Sequence, residues 1–447
     1  MNGTLRAPRI SGVVGLIALM PAVAVAQQDL RGARDSLRLP ALQEAALRTD
    51  PRVRQLDLLA GQSRLRLRSI TAERLPVLSA EGQAQYQSDV VRIPFELPNG
   101  QRIPSPGRDT YDAHVGAQQS LFDPTLGARR TAERAQLAES QSRVRTALFG
   151  LRREVNDAFF AAASLQASLA ELDATMTDLE ARRREAVIRV LEGTALPSDS
   201  AALAATLLQR RQDEAAVRAN RRAALARLEV LTGQRFPEEA PLALPDLAER
   251  MAEARRTLAD LRARPEYEQF ARTRERLGRQ AEVTAARELP RLSAFGQLGY
   301  GRPGLNVLND DFDSYWLVGV QLQWTPWTWG TVRRERETLA LEQQIVAAEE
   351  AAFRDGLRRV VEGDLATIDQ VTAALATDER IIALREVIER ESRLRFQEGA
   401  ITAAEYVDRS SDLLDARLAR ARHRVELAQA RAQFLTTVGI APASEER

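Results

Sequence analysis

The chain has 447 residues, a formal charge of +1, two histidines and no cysteine. The near-neutral charge removes any global drive toward nucleic acid, and the missing thiols exclude disulfides and a lipid anchored on an N-terminal cysteine. The basic residues are all arginine, and they alternate with acids along helical stretches, as a solvated face does.

The first segment, 1–26, reads as an export signal. Arg6 and Arg9 give a basic start, Val13 to Leu19 an apolar middle and Ala24-Val25-Ala26 a small-residue cleavage site, so the mature chain is expected to begin near Gln27. Residues 41–73 read as helix, broken at Asp50-Pro51. From Val77 the period becomes two: Leu78, Ala80, Gly82, Ala84 and Tyr86 alternate with polar residues. A loop over 87–110 carries four prolines, and a second alternating run covers Tyr111 to Phe122. A helix then runs over 125–192 until Gly193 stops it. Pro197 reads as part of the turn, and Ser198-Asp199-Ser200 offers caps for a helix to Thr232.

The second half repeats this order. Leu75-Pro76-Val77-Leu78-Ser79-Ala80 recurs as Leu289-Pro290-Arg291-Leu292-Ser293-Ala294, and Glu192-Gly193 recurs as Glu398-Gly399. A helix to Leu289 precedes strands at Leu292–Tyr300 and Tyr315–Trp324, with an acidic loop over 301–314 between them. A long helix spans about Thr331 to Glu398, and Thr402 with Glu405 opens a last helix to about Val438. The unit is too long for a solenoid repeat, so each copy is one structural unit, 27–245 and 246–447.

A helix over 125–192 is roughly 100 Å long, and the two shorter helices of its repeat stacked end to end would match it. Such helices need partners along their length. Val144, Leu148, Leu151 and Val155 form a heptad-like seam, as do Leu414, Leu418, Ala421, Val425, Ala428, Ala432 and Leu435. All four tryptophans, Trp316, Trp324, Trp327 and Trp329, lie in or just after the last strand, and Tyr86, Tyr300 and Tyr315 lie in or beside other strands. Aromatics gather where a membrane barrel meets the lipid headgroups. Four strands cannot close a barrel, and an open edge in lipid leaves backbone groups unsatisfied. Three chains would supply twelve strands and four chains sixteen, both even numbers in the usual range.

Ser120-Leu121-Phe122-Asp123 with Gly127, Trp324 with Pro326 and Gly330, and the run Arg395-Phe396-Gln397-Glu398-Gly399-Ala400-Ile401-Thr402-Ala403-Ala404-Glu405 resemble the TolC-type outer membrane efflux proteins. The resemblance implies a chain that is mainly α with a small β part. It implies a trimeric channel, with a long α-helical barrel below a 12-stranded transmembrane β-barrel built from four strands per chain. Passive export is the implied function, as the exit duct of a tripartite efflux or type I secretion system in a Gram-negative outer membrane. A periplasmic adaptor (membrane fusion protein) and an inner-membrane transporter would deliver the substrate. The turns Gly193-Thr194-Ala195-Leu196 and Gly399-Ala400-Ile401-Thr402 would be the helical tips that meet the adaptor. Among the acids of the second long helix, Asp378, Glu379, Glu386 and Glu389 are the candidates for a constriction there. Trp316, Trp324, Trp327, Trp329, Tyr86 and Tyr300 would sit at the lipid interface.

Two other readings compete. An exported coiled-coil scaffold or adaptor would need no detergent and leaves the tryptophan cluster without a role. An exported enzyme finds little support: His114 and His423 are the only histidines, and no metal cluster, nucleophile motif or phosphate loop appears, so neither catalysis nor a cofactor is expected.

Overall fold

The computed structural model describes residues 36–90, 107–256, 261–306 and 310–440. The export signal, most of the 87–110 loop and residues 307–309 of the acidic loop lie outside the described residues.

A two-residue strand, β1 (Leu37–Arg38), leads into α1 (Leu39–Thr49) and α2 (Arg52–Ala72). Pro51 separates the two helices because its ring denies a helical amide at that point. Asp50 holds the joint: its carboxylate accepts the Arg52 amide at 2.8 Å and the Arg52 guanidinium at 2.7 and 2.9 Å. The hydrogen bond from that guanidinium holds the Asp50 carboxyl below its usual range. A depressed folded-state value means stability present above the unfolded pKa, about 4, and lost as pH falls through the folded value. Asp50→Asn should therefore cost about 1 kcal/mol at pH 7 in urea unfolding. That difference should shrink as pH falls below about 4 and through the lowered folded-state value.

After α2 come β2 (Val77–Tyr86), β3 (Asp109–Phe122), α3 (Pro124–Leu191) and α4 (Pro197–Thr232). A short strand β4 (Leu242–Ala243) and α5 (Ala248–Arg256) follow. The second unit then repeats the pattern with α6 (Pro265–Ala286), β5 (Arg291–Arg302), β6 (Asp313–Gln323), α7 (Thr331–Gln397) and α8 (Ala403–Thr437). The two long helices contain 68 and 67 residues, the lengths expected from the glycine stops. At the start of α4 the expectation is corrected. Pro197 is the first helical residue, where its fixed φ suits the turn and its missing amide costs nothing. Leu196 occupies the cap position, and the Asp199 carboxylate, inside the first turn, accepts the Leu196 amide at 3.3 Å.

The short helices stack end to end against the long ones. The N-terminal half of α3 meets α2 through Arg129–Glu73 and Arg66–Glu133, and meets α6 through Arg276–Glu139. Its C-terminal half meets α4 through Arg211–Glu180 and α8 through Arg420–Glu171. The same division holds for α7, which meets α6 through Arg287–Glu335 and α8 through Arg385–Asp412. The wall is thus a strip of four helices at every level. Both heptad-like seams are buried along it, except for half-buried Leu418.

The largest core lies at mid-length, where α1, α3, α4, α5 and α8 converge around Phe159, Phe160, Leu228 and Phe434. β1 pairs in parallel with β4 there, Leu37 opposite Leu242. Arg221 is buried beside this pair and donates to the carbonyls of Glu238 and Ala240. Burial lowers its pKa, and the two carbonyls supply the partners a buried guanidinium requires. The two short strands and the separate helix α5 were not anticipated from sequence.

Candidate functional site

The four long strands form one antiparallel sheet in the order β2-β3-β5-β6. Register assigns its faces. Leu78 lies opposite Ala117, Ala80 opposite Val115, Val115 opposite Leu298, and Leu298 opposite Trp316. Val318, Val320 and Leu322 continue that face along β6, and each is more than 60 % exposed. The other face carries Glu81 opposite His114, Gln83 opposite Asp112 and Ser293 opposite Gln321. There the Asp112 carboxylate accepts the Tyr315 hydroxyl at 2.5 Å and contacts His114 Nδ1 at 2.6 Å. One side of the sheet is therefore apolar and unburied, while the other is polar and hydrogen-bonded. No further strand covers the outer edges of β2 and β6 among the described residues.

Trp316 stands on the apolar face near one end of the sheet. Trp324, Trp327 and Trp329 follow the other end, with Trp327 and Trp329 edge to face at 5.8 Å. The two groups are about eight residues apart, roughly 25 Å of strand, the height of a barrel's apolar band. Tyr300 and Tyr111 stack on Phe312 at 5.6 and 6.1 Å at the Trp316 end, and Tyr86 is exposed at the same end. Tyr315 stands on the opposite face of the sheet from Trp316. Its ring lies across Gly299 on the polar face, where a Cβ would meet it at 2.4 Å.

At the far end of the helices, two turns match in detail. Gly193 and Gly399 adopt φ of +74° and +75°, the left-handed region that glycine enters without a Cβ penalty. Thr194 and Ala400 donate back to the carbonyls of Arg189 and Arg395, each at 2.8 Å. Ala195 also returns to Arg189, and Leu196 is exposed. Thr402 caps α8 by accepting the Glu405 amide at 3.3 Å, and Ile401 packs against the local core. The two turns are tied together: Arg189 donates to the Phe396 carbonyl at 3.0 Å, and Asp199 accepts the Ala403 amide at 2.9 Å. Under them Phe396 and Tyr406 stack at 5.4 Å among Leu179, Leu203 and Leu207. The Tyr406 hydroxyl lies 3.0 Å from Asp178 and 3.2 Å from Glu389. Burial, reinforced by those two carboxylates, pushes its pKa well above the phenol range.

The four candidate acids part company. Asp378 is buried and meets His423 Nδ1 at 2.6 Å; Glu386 pairs with Arg417 at 2.9 Å; Glu389 accepts from Tyr406. All three partners lie on α8, so these acids face the neighbouring helix of their own chain. Glu379 alone of the four is exposed and has no such partner among the described residues.

No family model matches the chain, and no curated protein matches it either. Solved structures do. CusC, described as forming a transmembrane channel, superposes with a TM-score of 0.66 at 16 % identity, over 90 % of this chain and 92 % of its own. The outer membrane protein VceC of Vibrio cholerae gives 0.64 at 15 % identity, over 90 % and 96 %. The MtrE outer membrane channel of Neisseria gonorrhoeae gives 0.63 at 20 % identity, over 90 % and 89 %. The chain has the fold of the TolC-type outer membrane factor channels.

Proposed function

We propose that this chain is the outer membrane channel of a tripartite efflux or type I secretion system. In that role it passively exports what an inner-membrane transporter and a periplasmic adaptor deliver. The observation that carries the reading is the four-stranded sheet: apolar on one face, polar on the other, and with no strand on either outer edge among the described residues. In lipid such edges must be closed by other strands, and copies of this chain can supply them. Three copies give a twelve-stranded barrel with the Trp316 face toward lipid and the His114 face toward the lumen. The helical strip has matching open edges. Leu58 and Leu65 on α2, Leu208 on α4, and Leu341, Ile345 and Leu384 on α7 are all more than half exposed. Neighbouring protomers would cover these side chains, making the strip a closed helical barrel that extends into the periplasm.

In this reading the chain is no enzyme, its two repeats are 27–245 and 246–447, and segment 1–26 is removed on export. Gly193 to Leu196 and Gly399 to Thr402 form the adaptor-facing tips, and Glu379 is the acid best placed to face a constriction. The deciding measurement is the protein mass, by light scattering, of the mature chain extracted from outer membranes in mild detergent. Three chains are expected. A detergent-free monomer would rule the channel out and favour a periplasmic scaffold.

Gly399→Val tests the tip. A β-branched residue at φ +75° carries about 1–2 kcal/mol of strain and reshapes the turn that presents Ala400 and Ile401. The variant should remain trimeric in detergent yet fail to restore drug resistance to a strain lacking its own channel. Full restoration would remove this turn from the export pathway.

A further inference from the structure

The long helices carry one short pattern at matching places. Gly150-Leu151-Arg152-Arg153 in α3 and Gly356-Leu357-Arg358-Arg359 in α7 have the same four residues in the same order. The leucines are buried in the helix seams, which explains them. The glycines are not explained that way. Glycine inside a helix costs about 1 kcal/mol relative to alanine. A Cβ at Gly150 would meet nothing within 4 Å, and one at Gly356 would meet only the Arg359 guanidinium, at 3.9 Å. Neither close packing nor backbone conformation demands glycine at these positions.

What the two glycines do is widen a cleft. It has a volume of about 700 Å³ and is lined by α3, α7, the end of α8 and the start of α6. That volume is in the range of small-molecule sites. Phe149, Phe353, Leu357 and Val360 give it apolar walls. Its charged lining is Arg153, Arg264 and Arg359 against Glu266. Arg264 is committed: it pairs with Glu266, donates to the Thr436 carbonyl at 3.3 Å and lies 4.7 Å from the Phe149 ring centre. Arg153 and Arg359, the matching arginines of the two patterns, make no ion pair or hydrogen bond among the described residues. Asp364, within the field of Arg153, accepts the Thr437 hydroxyl at 2.6 Å.

We propose that this cleft binds amphipathic organic anions, with the apolar body against Phe149, Phe353 and Leu357 and the acid group at Arg153 and Arg359. Guanidinium groups suit carboxylates and sulfonates because their paired N–H donors match two acceptor oxygens. The site lies within one chain, so it goes beyond the channel reading and does not rest on it.

The test is calorimetric titration of 2-naphthalenesulfonate into the full mature protein in an uncharged maltoside detergent. Saturable binding at one site per chain is expected, with uncharged 2-naphthol about tenfold weaker or worse. Gly356→Leu fills the cleft while favouring the helix, and should weaken binding about tenfold or more. The double variant Arg153→Gln, Arg359→Gln should do the same without adding bulk. Circular dichroism confirms that each variant keeps its helices. Absence of saturable binding overturns the proposal, as do equal binding of 2-naphthol and unchanged affinity in either folded variant.

Discussion

Val318→Arg should block membrane assembly of this protein, whereas Gln321→Arg, three residues along the same strand, should be tolerated. Val318 is at the centre of β6, 71 % exposed, directly opposite Gly296 on the face that also carries Leu298 and Trp316. If that face meets acyl chains, an arginine there must be desolvated at the middle of the bilayer. The cost is about 2–4 kcal/mol per chain, roughly a 30- to 900-fold shift in equilibrium. Gln321 pairs with Ser293 on the opposite, polar face, where added charge meets water. The readout is the fraction of urea-unfolded chain that folds into lipid vesicles. Loss in Gln321→Arg with normal folding of Val318→Arg would mean that the two faces have been exchanged. Equal folding of both would mean that the sheet does not lie in a bilayer.

The face assignment was legible in the sequence because strand side chains alternate with a period of two. A run such as Leu78, Ala80, Gly82, Ala84 and Tyr86 leaves no other arrangement. Helix ends were legible for a different reason. Gly193 and Gly399 adopt a backbone conformation other residues avoid, so the chain marks those ends itself. The acids of α7 were another matter. Asp378, Glu379, Glu386 and Glu389 occupy a helix with both a solvated face and a polar seam toward α8. Sequence alone does not say which acid falls on which. The answer depends on Arg417, His423 and Tyr406, which reach them from another helix. Arg221 was hidden in the same way. Nothing local distinguishes it from the arginines on solvated faces, and its role appears only when the carbonyls of Glu238 and Ala240 fold back onto it. The short pairing of β1 with β4 joins segments about 200 residues apart, and two residues carry no periodicity to detect.

The repeat also explains where the molecule can and cannot yield. Along most of its length the helical part is a single strip of four helices, held together by its buried seams. At mid-length the added segments α1, α5, β1 and β4 give it a second layer and a true core.

That core is where a single truncation should cost most. Phe159 is fully buried in α3, edge to face with Phe160 at 5.2 Å, in the cluster that joins α1, α4, α5 and α8. Phe159→Ala removes the ring from a site whose neighbours belong to several helices. Collapse into the cavity is therefore resisted, and the expected cost is about 3–5 kcal/mol per chain. Leu191→Ala, at the exposed end of the same helix, should change stability by less than about 0.5 kcal/mol. Urea unfolding followed by helical ellipticity at fixed detergent and protein concentration compares the two. Similar losses for both variants would mean that the mid-length cluster does not hold the helices together, and that the long seams carry the fold unaided. A loss confined to Phe159→Ala would place the mechanical anchor of the helical strip at its middle. The tips, held by a smaller core and two glycine turns, would then be free to move while the wall above them stays fixed.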